Sequence, residues 1–201
     1  MEDKSLSEQE SLQLISKMIN KAKNHYYESG LGALLWGFTN LICFTLAWLD
    51  ATMKWFNMPF NPFYLMIITF ILQFYFDRRE KKYRVAVTYK DEAHTYIWLA
   101  FGISVLVLTI AGAFADIGYI TLPLLLLLFA MPTFISGCIN RFSPFVIGGI
   151  ICWLLCIICF FYKSYNTYLI VALGAVVAWI IPGFILRTRF YKNIAKRKDG
   201  L

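Results

Sequence analysis

The chain has 201 residues, of which 59% are hydrophobic and 18% aromatic, while only 15% are charged. Soluble globular domains are about 45–50% apolar and about 25% charged. This composition excludes a disordered chain, a collagen-like chain, a disulfide scaffold and a large soluble catalytic domain, and it leaves a small membrane protein with several spans.

Residues 1–30 form a predicted cytosolic segment that contains one amphipathic helix, over residues 5–24. Ser5 and Ser7 each begin a capping-box pattern, and apolar residues then recur at helical spacing. We expect this helix to pack on the inner leaflet or against a cytosolic loop, with partner binding as the alternative. The segment has no cleavable signal peptide, so the first span is expected to remain as an anchor.

Six later stretches carry no Asp, Glu, Lys, Arg or His. A hydrocarbon core of about 30 Å requires about 20 apolar residues at the helical rise, with about 17–25 tolerated. The strands of a membrane barrel alternate, whereas these stretches are continuously apolar, so helices are predicted. The predicted fold is an all-α membrane protein with six transmembrane helices, over residues 31–49, 60–76, 95–115, 119–139, 144–162 and 167–186.

The lysines and arginines predict the orientation of these spans. Of the 19 in the chain, 17 fall on one side of the spans, and only Lys54 and Lys163 fall on the other. The positive-inside rule therefore places both termini in the cytosol. The cation-rich segments are residues 1–30, the loop 77–94, the hairpin 140–143 and the basic tail 187–201.

Polar residues within the spans are few and uncharged, and such residues are the usual indication of a transport path. Asn40 in the first span is the strongest candidate, although an interhelical hydrogen bond is the favoured interpretation. Gln73 in the second span and Ser136 in the fourth are further candidates. No carboxylate lies near the middle of a span, which disfavours a carrier coupled to protons or sodium.

Two prolines bear on the shape of the fourth span and the start of the fifth. Pro132 lies far enough inside the fourth span to kink it. A broken helix can form a transporter binding site, but the first three spans contain no matching proline, so a packing kink is favoured. Ser143 followed by Pro144 predicts an N-cap and the start of the fifth span.

The fifth span contains Cys152, Cys156 and Cys159, the last two in C-x-x-C form. Thiol redox chemistry is disfavoured because the pair lies near the predicted C-terminal end of the helix, where the dipole disfavours thiolate. Gly148, Cys152 and Cys156 recur every four residues, which is typical of a small-residue packing stripe. Three thiols without a histidine are an incomplete metal site.

The basic stretches of the cytosolic side predict contact with anionic lipid headgroups, at about 1 kcal/mol per cation near the surface. We expect no nucleic-acid partner, because neither stretch is long enough for a nucleic-acid-binding fold. The candidate lipid contacts are Arg78, Arg79, Lys81, Lys82, Arg187, Arg189 and Lys192.

Known intramembrane enzyme signatures do not occur in the chain. There is no H-E-x-x-H and no Gly-x-Gly-Asp, and no histidine within a span could activate a serine. We therefore predict no catalytic residue, no metal and no cofactor.

Residues 134–153 (FISGCINRFSPFVIGGIICW) and 181–186 (IPGFIL) resemble a group of small six-span bacterial membrane proteins of unknown activity. Residues 10–20 (ESLQLISKMIN) and 34–37 (LLWG) are similar to the same group. The resemblance implies a location in the bacterial inner membrane, and it carries no activity or site residue to this chain.

These observations predict a non-enzymatic accessory, sensor or scaffold protein that acts through its cytosolic face on a second copy or a cytosolic protein. The alternative is a small transporter or channel for an uncharged or weakly polar solute, which uses Asn40 and the kink at Pro132. A membrane thiol redox protein is the third hypothesis. A polar cavity at the middle of the membrane would favour transport, and a packed interior would favour the first hypothesis.

Overall fold

The structure, a computed structural model, describes residues 29–53, 59–81, 89–114, 118–162 and 164–199. The regular secondary structure in these ranges is helical, and the helix predicted over residues 5–24 lies outside them. A 3₁₀ turn, Pro62–Tyr64, leads into the second helix. The helices are α1 (Leu31–Thr52), α2 (Leu65–Lys81), α3 (Tyr89–Phe114), α4 (Gly118–Ile139), α5 (Ser143–Phe161), α6 (Thr167–Ala175) and α7 (Ile181–Asp199).

A π-helical turn, Val176–Ile180, joins α6 to α7, so these three segments form one continuous rod that we call the C-terminal helix. Five helices are long and apolar enough to cross a membrane, which supports a multi-pass helical bundle. These five are Leu31–Thr52, Glu92–Phe114, Ile120–Ile139, Ser143–Phe161 and Thr167–Lys192. The remaining helix, α2, has 17 residues and ends in a charged turn.

Several helices extend beyond the charge-free windows. α2 continues to Lys81, α3 begins at Tyr89 and α7 continues to Asp199. The segment predicted as the loop 77–94 is therefore helical at both of its described ends, and the predicted tail is helical through residue 199. Neither segment contains glycine or proline before residue 200, and both are rich in helix-forming Arg and Lys.

The hairpin between α4 and α5 is tighter than the sequence predicts. Phe142 N–H donates to the Gly137 carbonyl (2.8 Å), and Arg141 N–H donates to the Cys138 carbonyl (3.2 Å), which is the Schellman pattern. The prediction that Ser143 is the N-cap is wrong: Phe142 is the N-cap and Ser143 begins α5. The reason is that the Schellman turn reverses the chain one residue earlier, so Phe142 is already extended.

The C-terminal helix lies at the centre of the bundle, against α1, α4 and α5. Two glycines face its π-helical turn at very short range. A β-carbon on Gly37 of α1 would lie 2.6 Å from Ile180 Cγ1, and one on Gly148 of α5 would lie 2.9 Å from the Val177 carbonyl oxygen. The π-helical turn is thus held between α1 and α5.

Backbone chemistry explains the position of the π-helical turn. Ile181 N–H donates to the Val176 carbonyl, five residues back, and the next residue, Pro182, has no N–H to donate. Three consecutive side chains at the end of this turn are buried: Ala178, Trp179 and Ile180.

The other two helices, α2 and α3, lie on the outside. α2 packs on α1, α3 packs on α4, and the described parts of α2 and α3 do not pack on each other. Leu99, Leu106 and Phe114 of α3 are 57%, 59% and 90% exposed. Such apolar exposure suits a lipid environment.

The described parts of the cation-rich segments lie at one end of the bundle, which we call the cationic end. There Gly30 lies against Gly183 and the backbone of Arg187, and the Arg189 guanidinium lies 5.0 Å from the centre of the Phe142 ring. Gln73, near the charged end of α2, lies against Gly32 at the start of α1. At the opposite end, Trp48 Nε1–H donates to Asn166 Oδ1 (3.2 Å).

We expect Gly148→Ala to lower the stability of the bundle by about 1–3 kcal/mol, because the new methyl group must displace the backbone of the π-helical turn. Gly102→Ala is the matched control, since a β-carbon there meets no atom within 4 Å. Thermal unfolding of the detergent-solubilised protein measures both. Equal midpoints for the two variants would show that the glycine contact does not hold the helices together.

Candidate functional site

The side chain of Trp179 connects the π-helical turn to α4. Its Nε1–H donates to Thr133 Oγ1 (3.0 Å), and the Thr133 hydroxyl donates to the Phe129 carbonyl (2.7 Å). Both side chains are at most 2% exposed. Pro132 precedes Thr133 and has no N–H to donate to the Leu128 carbonyl, so this hydrogen bond lies next to a gap in the helix bonding of α4. The π-helical turn and the segment of α4 that contains Pro132 therefore contact each other here.

The Trp179 ring belongs to a cluster of four aromatic rings. Their centres lie 4.6–6.3 Å apart in the five contacting pairs, and Phe129 with Trp179 is the closest pair. At these distances the rings pack on one another and fill the space between them. The members of this aromatic cluster are Trp98, Phe101, Phe129 and Trp179.

A polar stripe continues from Thr133 towards the cationic end. Ser136 follows on the same side of α4, one turn on, and Asn140 comes directly after the end of the helix, about one turn further. Ser136 is 1% exposed and its hydroxyl has no hydrogen-bond partner, and neither polar atom of the Asn140 side chain has one. Buried polar groups are nearly always paired, so this stripe is unusual.

α3 faces the same stripe. It runs antiparallel to α4, with Phe101 against Phe129 and Gly112 against Thr121. This register places Trp98 level with Thr133, and the Trp98 indole N–H is also buried without a partner. The unpaired polar atoms of α3, of α4 and of the hairpin after it thus lie at the level of the π-helical turn (Trp98) or between it and the cationic end (Ser136 and Asn140).

Asn40 reaches the same level of the bundle from α1. The contacts of Gly37 with Ile180 and of Leu34 with Gly183 set an antiparallel register that places Asn40 level with the π-helical turn. Asn40 is 2% exposed, and its amide donates to the Trp36 carbonyl of its own helix (2.8 Å).

The neighbouring residue of α1, Thr39, makes an interhelical hydrogen bond at this level, with Thr69 of α2 (2.7 Å). Of the four polar and proline candidates predicted from the sequence, Asn40, Pro132 and Ser136 lie at or near the π-helical turn. Gln73 lies apart on α2, where its amide donates to Asp77 Oδ1 (2.7 Å).

The cysteines of α5 line a packing surface. The Cys152 thiol points to the Gly174 carbonyl (3.6 Å) and the Cys156 thiol to the Pro123 carbonyl (3.2 Å), while Cys159 is 2% exposed. Together with the contact of Gly148 on the π-helical turn, these contacts support the small-residue stripe predicted from the sequence. Among the described residues, no three His, Cys, Asp or Glu side chains come together as metal ligands.

Arginines at the cationic end rest on aromatic rings. The guanidinium carbon of Arg78 lies 4.3 Å from the centre of the Phe74 ring, and that of Arg187 lies 4.7 Å from the Tyr191 ring. At these distances the positive charge is attracted to the face of the ring. Arg78, Arg189 and Lys192 are exposed, and Arg187 is half-buried. The side chains of the other candidate lipid contacts lie outside the described residues: Arg79, Lys81 and Lys82.

Sequence reasoning missed two features of this region. Nothing in the pattern Trp179-Ile-Ile-Pro182 distinguishes a π-helical turn from a regular helix that ends at proline. In the sequence Arg141 is only one of the cations that set orientation, although its φ of 51° is the only positive value among the described residues other than glycine. Comparison of the chain with family models, curated proteins and solved structures finds no match.

We expect Thr133→Val to lower the stability of the protein by about 1–2 kcal/mol, because it leaves the buried Trp179 indole N–H without an acceptor. Trp179→Phe added to Thr133→Val is expected to cost less than the sum of the two single changes, since both remove the same bond. Thr109→Val is the control, because the exposed Thr109 hydroxyl donates only to Val105 of its own helix. If the double variant lowered the midpoint of thermal unfolding by the sum of the two single changes, the coupling between Thr133 and Trp179 would be contradicted.

Proposed function

We propose that the chain crosses the bacterial inner membrane six times, with both termini in the cytosol, and acts there without catalysis. Its role is that of an accessory, sensor or scaffold protein that works through the cationic end on the cytosolic side. The resemblance of residues 134–153 and 181–186 to six-span bacterial proteins supports the location.

The direction of the helices supports six spans. α1 starts at the cationic end and finishes near Asn166 at the opposite end, and α3 starts again at the cationic end because it runs antiparallel to α4. The chain must return between them, and α2 is the helix that lies there. With its preceding 3₁₀ turn, α2 covers Pro62–Lys81, which is about 30 Å.

The packed interior is the observation that carries the proposed role. Side chains from α1, α4, α5 and the C-terminal helix meet at the centre of the bundle and are at most 3% exposed. A solute path requires a polar cavity, and this region is occupied by apolar side chains and rings instead. The central residues include Phe44, Leu126, Phe129, Cys152, Val171, Ala175 and Trp179.

The cationic end supplies the recognition surface. Arg78, Arg189 and Lys192 present exposed charge there, next to aromatic rings that suit the membrane interface. This chemistry fits anionic lipid headgroups, together with a second copy of the chain or an acidic cytosolic protein. Nucleic acid is not among the proposed partners.

Affinity purification of the intact protein in mild detergent, followed by mass measurement of the eluted complex, tests this role. We expect a stoichiometric partner or a self-associated form, which the double variant Arg78→Glu, Lys192→Glu loses because both charges are reversed. Leu106→Ala, a change on the lipid-exposed face of α3, is expected to retain it. Recovery of the monomer alone from the unaltered protein would contradict the proposal.

The unpaired polar atoms of Trp98, Ser136 and Asn140 favour a second candidate, a small transporter or channel for an uncharged solute. Proteoliposomes exposed to glycerol or urea gradients, followed by light scattering, measure this activity. Solute flux that exceeds that of empty liposomes and falls in Ser136→Ala would favour transport over the accessory role. The buried thiols of α5 offer less support to the redox hypothesis, because their contacts are those of packing.

A further inference from the structure

Arg141 occupies a backbone position that normally belongs to glycine. It lies in the Schellman turn that follows α4, with φ 51°, and a side chain with a β-carbon is disfavoured in this left-handed region. Residues held in unfavourable conformations cluster at functional sites. An arginine at this position does not stabilise the turn, so we expect the surroundings of its guanidinium to give it a functional role.

A shallow groove of about 270 Å³ lies beside this turn. At the hairpin it is bordered by Arg141 and Ser143, and further along α5 it is bordered by the apolar residues Val146 and Ile147. Arg189 lies over the ring of Phe142, so a second guanidinium stands next to the groove. The lining residues are Gly137, Cys138, Arg141, Phe142, Ser143, Val146 and Ile147, none of them acidic.

The apolar side of the groove continues along α5. Ile147, Ile150 and Leu154 are spaced by three and four residues, so they share one helix face, and they are 55%, 44% and 55% exposed. A ligand that fills both parts has an anionic head next to Arg141 and an apolar chain along this face.

We propose that this groove binds one anionic phospholipid, with its phosphate held by Arg141 and Ser143 and an acyl chain along α5. The site rests on the proposed function in one respect, that the cationic end lies at the headgroup layer. Arginine pairs with two phosphate oxygens at once, and the Ser143 hydroxyl donates a further hydrogen bond. Arg189, whose orientation is restricted by the Phe142 ring, adds a second positive charge.

Cys138 provides a direct measure of occupancy, because it lines the groove and is the only exposed cysteine of the five. The full-length protein is labelled with a neutral maleimide in phosphatidylcholine vesicles, with or without phosphatidylglycerol. If only the empty site reacts, labelling slows about tenfold when the lipid is present at about ten times its dissociation constant. Unchanged labelling on addition of phosphatidylglycerol would overturn the proposal.

Substitutions separate the site from general attraction to charged membranes. We expect Arg141→Gln to label at the same rate with and without phosphatidylglycerol, whereas Lys192→Gln, which removes an exposed cation outside the groove, keeps the protection. Equal protection in the two variants would overturn the assignment to Arg141.

A soluble phosphate distinguishes a lipid site from a simple anion site. Glycerol phosphate added to phosphatidylcholine vesicles is expected to leave the Cys138 labelling rate unchanged, because it lacks the acyl chain. Protection equal to that given by phosphatidylglycerol would overturn the lipid assignment.

The backbone conformation of Arg141 provides an independent readout of the same residue. Arg141→Gly is expected to abolish the protection while raising the midpoint of thermal unfolding by about 2 °C, since glycine accepts the left-handed conformation. Arg141→Ala is expected to abolish the protection without this gain. Protection that persists in folded Arg141→Gly would refute the site, whereas the recovery of a partner or self-associated complex tests the proposed function separately.

Discussion

The close approach of the C-terminal helix to α1 and α5 is the contact on which the rest of the bundle depends. Between helices in lipid the hydrophobic effect supplies little attraction, so small residues that allow short backbone distances replace it. Gly37 and Gly148 face the π-helical turn from two sides, and a β-carbon at either would meet its atoms at less than 3.0 Å. The Trp179 side chain of this turn donates to Thr133 of α4, and α4 in turn packs on α3.

The positions of the buried polar side chains of α4 and of the hairpin after it are related to the position of the π-helical turn. An irregular backbone is tolerated at membrane depth where neighbouring groups pair with it, and the bond from Trp179 to Thr133 joins the π-helical turn to the segment weakened by Pro132. The unpaired groups of Ser136 and Asn140 lie one and two turns closer to the cationic end. A path across the membrane requires polar groups on both sides of the aromatic cluster, whereas these lie on the side of the exposed arginines, where recognition is proposed.

The helical fold was predictable because the bilayer acts on composition: a run of about 20 apolar residues without charge is the length that a helix needs to cross the hydrocarbon core. The ends of the helices were not predictable in this way. Charged residues mark where the hydrocarbon ends, but α2 and α7 continue into charged stretches, which contain no glycine or proline to end the helix. Within the site, Asn40 and Pro132 stand out as rare residue types in apolar spans. The π-helical turn depends on Pro182 and also on contacts from two other helices, and no local pattern encodes those contacts.

Arg141 contributes to the predicted orientation of the spans, but that contribution does not explain its left-handed backbone conformation. Orientation by the positive-inside rule depends on the number of cations in a short loop, and any position of the hairpin would serve it equally. The left-handed position is the least favourable of them for a residue with a β-carbon, at about 1 kcal/mol. Glycine there and arginine at position 140 or 143 would give the same orientation without that cost. The unfavourable backbone conformation therefore indicates that the position of the Arg141 guanidinium is important for binding. This position is beside a groove that has an apolar wall and a second arginine, Arg189, next to it.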